Sequence, residues 1–379
     1  MSGGIRIGRL FGIDIAIHPS WFIILGLFAF TLANGFFPQT HPDWTTLTAW
    51  AVAVVATLLL FAAVLAHELG HSLVAKSQGI KVTNITLFLL GGVASIEKEA
   101  STPGREAVLA GVGPLVSIVI GAVSWGLAVV LPGPEQVTAV LYYLGIANLS
   151  LAVFNLLPGF PLDGGRVLRA LLWWRSGDFG RATRQATLVG QGFGFAFIGL
   201  GVVQILAGGG LGGIWLGFVG WILIQAARAS ASQTELQHVL AGVSTARIMT
   251  RPAEWLSPYV TLAHAAEGHF GDYDTRCLPV RPEREDQTYD GLICGADFAK
   301  MPRYEWDNDR VRDVMVPAEK LLTVTPETPA DEALRLLLKG EVDRLAVVDA
   351  EGRLVGFVDQ ASIDRYTLLR QTHSPTHAA

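Results

Sequence analysis

Two histidines and a glutamate form one short motif, His67-Glu68-Leu69-Gly70-His71. Residues four apart on a helix project from the same face, so both imidazoles can bind one metal ion. Glu68 is then positioned to take a proton from a metal-bound water, as general-base catalysis of hydrolysis requires. The alternative is a pair of buried histidines held by hydrogen bonds, with Glu68 as their partner. Because the motif lies in an apolar stretch, where ionisable groups are costly and usually functional, the metal is favoured.

A third ligand is expected, because a catalytic zinc site has three protein ligands and one open position. The best candidate is Asp163, which follows two prolines that end an apolar helix and precedes two glycines that permit close approach to another element. Taken alone, Asp163 could simply cap a helix. Taken with the two histidines, it is predicted to bind the metal. Asn155 is predicted either to hydrogen-bond the substrate backbone or a developing oxyanion, or to hold two helices together.

The elements that must position these residues are membrane helices. The 379 residues are 51% hydrophobic and only 16% charged, whereas roughly a quarter of the residues in a soluble chain are charged. The net charge of −5 does not suggest a nucleic-acid partner. Six spans are predicted, at about residues 20–37, 49–76, 105–131, 137–157, 186–206 and 211–227, with a polar loop over 163–184. The third span carries small residues suited to close helix packing, namely Gly111, Gly113, Ser117 and Gly121.

A small β-structure is predicted beside the spans. Residues 13–17 alternate isoleucine with other residues, which indicates a strand, and residues 80–98 are predicted to form a hairpin around Gly91 and Gly92. The hairpin could dip into the membrane, provided that protein or a wet cavity surrounds its backbone. Its edge, with Gly91, Gly92 and Val93 as the predicted contacts, could bind an unwound substrate segment by strand addition. The alternative is a hairpin that only packs the helices.

The charge distribution predicts the orientation. In a six-span arrangement every lysine and arginine before residue 230 falls on one side, and the three opposite loops contain none. By the positive-inside rule that side is the cytosol, so both termini are predicted to be cytoplasmic. His71 lies five residues from Lys76, which places the motif on the order of 10 Å below the cytosolic surface.

These motifs together resemble the site-2 protease family of intramembrane zinc metalloproteases, over residues 5 to about 225. The resemblance rests on His67-Glu68-x-x-His71 and on Asn155-x-x-Pro158-x-x-Pro161-Leu162-Asp163-Gly164, and Gly91-Gly92 and Gly113-Pro114 also fit. It implies one Zn²⁺ per chain, bound by His67, His71 and Asp163, with Glu68 as general base. It also implies a multi-pass protein of the cell membrane and its lipid bilayer, whose substrates are single-span membrane proteins such as anti-sigma factors.

Two other functions are compatible with parts of this sequence. Some zinc transporters carry a similar histidine-glutamate run in a span, and regulatory CBS pairs occur on channels, so a metal-ion transporter is the main alternative. A transporter should show polar residues along several spans, and the first, fifth and sixth spans offer almost none. An inactive relative that only binds membrane partners would not need Glu68.

The rest of the chain contains an internal repeat with a spacing of roughly 60 to 67 residues. Residues 246–249 resemble 312–315, and 277–280 resemble 344–347. The repeat resembles paired CBS domains. The expected protein is therefore a polytopic α-helical membrane protein with six transmembrane helices and a small sheet or re-entrant hairpin, plus an α/β cytosolic CBS pair. Its expected parts are a protease domain, a linker, the tandem CBS domains and a disordered tail, at 1–230, 231–243, 244–370 and 371–379.

The ligand of the CBS pair stays open at this point. CBS domains often bind adenine nucleotides and favour Thr and then Asp after the last strand, whereas the second copy has Asp359 and Ser362. The first copy has Asp297 with no acid three residues later, and an extra carboxylate beside a phosphate is repulsive. A structural or homodimerising module is an equal alternative to nucleotide binding. The two cysteines, Cys277 and Cys294, fit no metal motif and are expected to be reduced thiols.

Overall fold

The computed structural model describes residues 4–88, 91–96, 100–130, 133–208, 210–240, 242–252, 254–270, 277–281, 289–340 and 342–373. It divides into two compact units, with the boundary between Thr234 and Glu235. The described helices and strands of the first unit are, in chain order, β1 (Ile5–Leu10), β2 (Ile13–Ile17), α1 (Ser20–Thr31), a π-helix (Leu32–Phe36), α2 (Phe37–Thr40), α3 (Thr46–Ser77), β3 (Val82–Phe88), β4 (Gly91–Ile96), α4 (Pro103–Val130), α5 (Glu135–Asn155), α6 (Asp163–Ser176), α7 (Phe179–Leu206) and α8 (Gly210–Leu240).

Six helical segments among the described residues are long and apolar enough to cross a membrane. They are Ser20–Thr40, Thr46–Ser77, Pro103–Val130, Glu135–Asn155, Phe179–Leu206 and Gly212–Ser230. At about 1.5 Å per residue, each is long enough to cross most or all of a hydrocarbon core about 30 Å thick. The six predicted spans are thus confirmed as helices, although α3 and α7 begin earlier than the sequence indicated.

The predicted β-structure is a four-stranded sheet in the order β1-β2-β3-β4. Strand β2 runs parallel to β3, and the other two pairs are antiparallel. Isoleucines 13, 15 and 85 from the central strands are buried against the cytosolic-predicted end of α3, together with Ala75. Strand β4 is therefore an edge of the sheet, as the strand-addition hypothesis requires, and the sheet lies beside the helix that carries the histidine motif.

The polar loop predicted over 163–184 is wrong, because most of it is helix α6, Asp163–Ser176. Its arginines suggested a loop, but they are spaced along an otherwise apolar helical stretch. Asp163 lies in the first turn and Arg175 in the last, the arrangement that a helix dipole favours. Gly177 ends the helix at a positive φ of 70°, a backbone conformation that glycine adopts without strain.

The second unit has the two-repeat α/β architecture of a CBS pair. Its described α-helices and β-strands are, in chain order, α9 (Thr245–Ile248), α10 (Leu262–His269), β5 (Cys277–Val280), β6 (Gly291–Cys294), α11 (Gly295–Phe298), α12 (Val311–Val314), β7 (Val316–Pro317), β8 (Leu322–Val324), α13 (Ala330–Lys339), β9 (Arg344–Val348), β10 (Leu354–Asp359) and α14 (Gln360–His373). The strands form two three-stranded sheets, in the orders β5-β6-β7 and β10-β9-β8. Helix α8 occupies most of the expected linker at 231–243, and α14 extends to His373. The remainder of the tail expected at 371–379 lies outside the described residues.

The expectation of two reduced thiols is wrong. Cys277 and Cys294 are directly opposed on the antiparallel strands β5 and β6 and form a disulfide. Both residues are buried, at 4% and 5% exposure. The 17-residue separation in sequence gave no sign of this pairing, because only the register of the two strands places the side chains opposite each other.

Candidate metal centre

The two histidines of the motif meet on one face of α3. The Nε2 atoms of His67 and His71 are 3.2 Å apart, as the i, i+4 spacing predicts. Both side chains are at least nine-tenths buried, inside a helix that is apolar enough to span a membrane. The structure therefore places two potential metal ligands in a buried position, where an imidazole needs a partner.

Asp163 completes a three-residue cluster. Its Oδ2 atom is 3.2 Å from the Nε2 atoms of both histidines, and its side chain is 14% exposed. The residue begins α6 directly after the proline-containing loop, as its sequence context suggested. Two glycines permit this packing, because a Cβ on Gly164 would lie 2.2 Å from the Leu156 carbonyl oxygen and one on Gly165 would lie 2.2 Å from Gly159.

The outer nitrogens of both imidazoles are hydrogen-bonded by α4. His71 Nδ1 is 2.7 Å from the carbonyl oxygen of Leu109, and His67 Nδ1 is 2.9 Å from the Ser117 hydroxyl. Because a carbonyl only accepts, His71 Nδ1 must donate its proton there, and a neutral imidazole then has its lone pair on Nε2. Metal-binding histidines are commonly oriented in this way by their second nitrogen.

The donor set fits a zinc ion. An Nε2 lone pair and a carboxylate oxygen are both acceptors, so their close approach at 3.2 Å needs a cation or a shared proton between them. Zinc binds histidine nitrogen and carboxylate oxygen at about 2.0–2.2 Å in a tetrahedron, whose ligand atoms are then about 3.3 Å apart. The three observed separations of 3.2 Å match that spacing. His67, His71 and Asp163 could thus hold one zinc ion.

Gly113 on α4 provides the space for both imidazoles. A Cβ at this position would lie 2.1 Å from His71 Nε2 and 2.6 Å from His67 Nε2, far inside van der Waals contact. The sequence placed Gly113 and Ser117 on the small-residue face of the third span but predicted only helix packing for them. Their roles beside the histidines were missed, since a small residue looks the same in sequence whether it admits a helix or an imidazole.

Glu68 lies against the edge strand β4. A Cβ on Gly92 would be 2.5 Å from Glu68 Cγ, so the absence of a side chain at Gly92 lets the strand approach the carboxylate. Gly91 has a positive φ of 128°, and Val93 is 44% exposed. The structure therefore brings the three hairpin residues singled out in the sequence, Gly91, Gly92 and Val93, onto the strand that contacts Glu68.

Asn155 is the last residue of α5, immediately before the loop that leads to Asp163. It is half-buried, and its side chain forms no hydrogen bond to the residues that the structure describes. No hydrogen bond of Asn155 within the described residues therefore supports the interpretation that it holds two helices together. Its amide remains a candidate for binding substrate.

The family model described as Peptidase family M50 matches residues 55–137 and 134–199. A protein of Synechocystis sp. provisionally named a zinc metalloprotease is 38% identical over 368 residues, which cover 96% of this chain and 95% of the relative. The chain belongs to peptidase family M50. The provisionally named zinc metalloprotease Rip3 of Mycobacterium tuberculosis is 32% identical over 96% of this chain and 93% of its own length. The solved structure of a site-2 protease from Methanocaldococcus jannaschii is 30% identical, with a TM-score of 0.44, and the match covers 60% of this chain and 95% of that one.

Membership of peptidase family M50 confirms the predicted class of enzyme. The protein is a zinc metalloprotease of the site-2 protease family and a multi-pass membrane protein. The CBS domain model matches residues 311–368, which correspond to the second copy of the predicted repeat. The M50 domain is thus combined with a C-terminal CBS pair, as the sequence indicated.

Proposed function

We propose that this M50 protein is an intramembrane endopeptidase that cleaves the transmembrane segments of single-span membrane proteins. The observation that supports this proposal is the position of the cluster: three ligand atoms 3.2 Å apart, buried at the side of a membrane-spanning helix. A protease that acted on soluble substrates would have no need to place its metal ligands there. Such a site suits regulated intramembrane proteolysis, with membrane-tethered regulators such as anti-sigma factors as substrates.

In this proposal His67, His71 and Asp163 bind one Zn²⁺ per chain. When bound, zinc supplies Lewis-acid chemistry that makes a water molecule more acidic and polarises the peptide carbonyl. Glu68, beside His67, accepts the proton of the attacking water and returns it to the leaving nitrogen. The hydrogen bond that His71 donates to the Leu109 carbonyl and the one between His67 and the Ser117 hydroxyl hold the imidazoles in the required orientation. Asn155 contributes a hydrogen bond to the substrate backbone or to the developing negative charge.

The substrate segment binds as an added strand on β4. A transmembrane helix satisfies its own backbone hydrogen bonds, so its peptide groups become accessible only after it unwinds. Edge strand β4 offers replacement partners at the point where Gly92 contacts Glu68. The scissile peptide would thereby lie next to the general base.

The basic residues support a site near the cytosolic surface. Lys76 lies in the last turn of α3, five residues after His71, and Arg166, Arg175 and Arg181 follow the third ligand. By the positive-inside rule we propose that both termini are cytoplasmic. The CBS pair then lies in the cytosol.

We propose that the CBS pair acts as a structural or homodimerising module and not as a nucleotide sensor. The Asp297 carboxylate accepts hydrogen bonds from Arg344, Lys300 and the backbone of Cys294. Asp359 Oδ1 accepts one from the backbone of Ser362 at the start of α14. Both acids are thus engaged within the fold. Isothermal titration with AMP and ATP should show no heat of binding, and nucleotide binding would contradict the proposal. Light scattering then separates the two kinds of module, since a homodimerising module gives a dimer and a structural one a monomer.

The protease proposal is tested by reconstituting the full chain in liposomes with a single-span membrane protein. Wild type should cleave within the transmembrane segment, and a chelator should stop cleavage. Glu68→Gln should retain zinc while kcat falls by about 10²- to 10⁴-fold, the usual contribution of a general base. Cleavage by Glu68→Gln at the wild-type rate would refute the mechanism, and metal-ion flux without cleavage would favour a transporter.

The docking step has its own test. Val93→Pro removes a backbone donor from the edge strand and should impair cleavage while bound zinc is unchanged. Val93→Thr, which keeps the donor and the β-branched shape, is the control and should cleave normally. Equal cleavage by the proline variant would rule out strand addition at Val93.

A further inference from the structure

A buried ion pair joins the helix that orients the histidines to the helix that carries the aspartate. Glu106, in the first turn of α4, is 1% exposed, and Arg169, in the middle of α6, is 2% exposed. Arg169 Nε donates to Glu106 Oε1 at 2.6 Å, and Nη2 donates to the same oxygen. Ion pairs are rarely buried unless the geometry is specific, because the desolvation of two charges is costly.

Two aromatic rings fix the guanidinium further. Its Cζ atom lies 5.0 Å from the ring centre of Phe160 and 4.6 Å from that of Phe179. Phe160 belongs to the loop that immediately precedes Asp163, and Phe179 is the first residue of α7. Arg169 therefore contacts the elements on both sides of α6, and these cation–π contacts add to the ion pair in a desolvated setting.

One face of α4 contacts the two histidines directly and is linked to the helix of Asp163 through the Glu106–Arg169 pair. Glu106, Leu109, Gly113 and Ser117 follow at intervals of three or four residues, so they lie along one side of the helix. Leu109 and Ser117 hold the two histidines, and Gly113 makes room for them. Glu106 contacts α6 at Arg169, which lies six residues after Asp163.

We infer that Glu106 and Arg169 are positioning residues for Asp163. The pair sets the location of α6 along α4, and so places the Asp163 carboxylate at the same distance from both imidazoles. The histidines are fixed by α4 directly, whereas the aspartate depends on α6 being held in register with it. Loss of the pair should thus weaken zinc binding through Asp163 and leave the two histidines in place.

The test measures zinc affinity of the purified full-length chain by competition with a chromogenic chelator, which does not depend on whether the protein cleaves any substrate. Arg169→Met, with a side chain of similar length and no charge, should bind zinc about 10- to 100-fold more weakly, the usual cost of removing an outer support. If that variant fails to fold, Glu106→Leu with Arg169→Met removes both charges and should show the same weakening. Ser124→Ala, a buried substitution further along α4, is the control and should bind zinc as wild type does.

A thermodynamic cycle separates positioning from general damage. In an Asp163→Ala background the remaining affinity comes from the histidines, so adding Arg169→Met should change it by no more than about twofold. An equal loss of affinity with and without Asp163 would show that Arg169 supports the whole domain, and would overturn the inference. Wild-type affinity in a folded variant lacking the pair would overturn it as well.

Discussion

Two buried clusters of ionisable side chains in this protein use their acceptors in opposite ways. In the membrane unit, two imidazole nitrogens and one carboxylate oxygen converge at 3.2 Å, with each imidazole's other nitrogen already hydrogen-bonded to α4. In the CBS unit, Asp297 is at least as buried but receives two hydrogen bonds from Arg344 and one from Lys300. The first cluster has acceptors without matching donors, and the second is matched within the protein.

This difference distinguishes a cluster that can bind a metal ion from a cluster that only stabilises the fold. Buried acceptors that face one another need a cation or a shared proton between them, whereas the hydrogen-bonding needs of an acid surrounded by donors are already met within the protein. Burial or an unusual concentration of charged residues does not distinguish the two clusters. A substitution in one cluster should therefore affect only the property that this cluster supports.

The largest effect is expected from filling the space beside the imidazoles. Gly113→Ala introduces a methyl group 2.1 Å from His71 Nε2, so the histidines must move and both zinc binding and cleavage should be lost. Gly111→Ala is the matched control, since a Cβ there meets nothing within 4 Å on the same helix. Zinc content by mass spectrometry of both purified variants provides the measurement. Full zinc occupancy in the Gly113 variant would contradict the location of the metal.

A smaller effect is expected from Ser117→Ala, which removes the hydrogen bond to His67 Nδ1 but leaves all three ligands. Zinc affinity should fall by about 10- to 100-fold. Titration with a competing chelator measures it, and the stability of the CBS unit should not change. An affinity equal to that of wild type would show that the Ser117 hydroxyl does not orient the imidazole.

The matching change in the other cluster is Asp297→Asn, which removes one carboxylate from the buried Arg344 guanidinium and leaves it paired with the more exposed Asp343. Losing the sole partner of a buried charge costs about 3–5 kcal/mol of unfolding free energy, so the cost here should be smaller than that. Hydrogen exchange of β9 in the full-length chain should accelerate accordingly, while zinc content and basal cleavage remain those of wild type. The exposed Asp307→Asn is the control. A loss of zinc in the Asp297 variant would mean that the two clusters are not independent.

Lowering the pH should gradually remove the stabilisation that the Asp297–Arg344 ion pair contributes. Although burial favours the neutral acid, the hydrogen bonds from Arg344 and Lys300 hold the pKa of Asp297 below its usual value. A lowered pKa in the folded state means that this stabilisation is complete above the unfolded pKa of about 3.9 and is lost as the pH falls through the folded value. Wild type and Asp297→Asn should thus differ in β9 protection by a constant amount from pH 7 to about pH 4, and should converge as the pH falls further through the folded pKa. A difference that disappears well above pH 4 would contradict the assignment.

Much of the metal centre could be predicted from sequence because its signals are local. The i, i+4 histidines need only a helix, and Asp163 follows a run of prolines and glycines that ends a span. The four-residue periodicity of α4 was also visible, but it indicated only helix packing. The role of Leu109 had no sequence signal, since every residue has a backbone carbonyl and only the fold determines which one meets His71.

The elements that were predicted wrongly depend on long-range geometry. Helix α6 looked like a loop because its arginines suggested solvent, yet Arg169 is buried against Glu106, 63 residues earlier. The Cys277–Cys294 bond depends on the register of β5 with β6. In both cases the partner of the residue could not be predicted from the sequence, because the fold and not the spacing along the chain brings the partner near.

The metal centre is tested most directly by zinc-edge X-ray absorption on the purified wild-type chain, together with its zinc content. We expect one zinc per chain with two imidazole ligands and further oxygen ligands at about 2.0–2.2 Å. Absence of zinc, or scattering from sulfur at about 2.3 Å, would contradict a centre built from His67, His71 and Asp163.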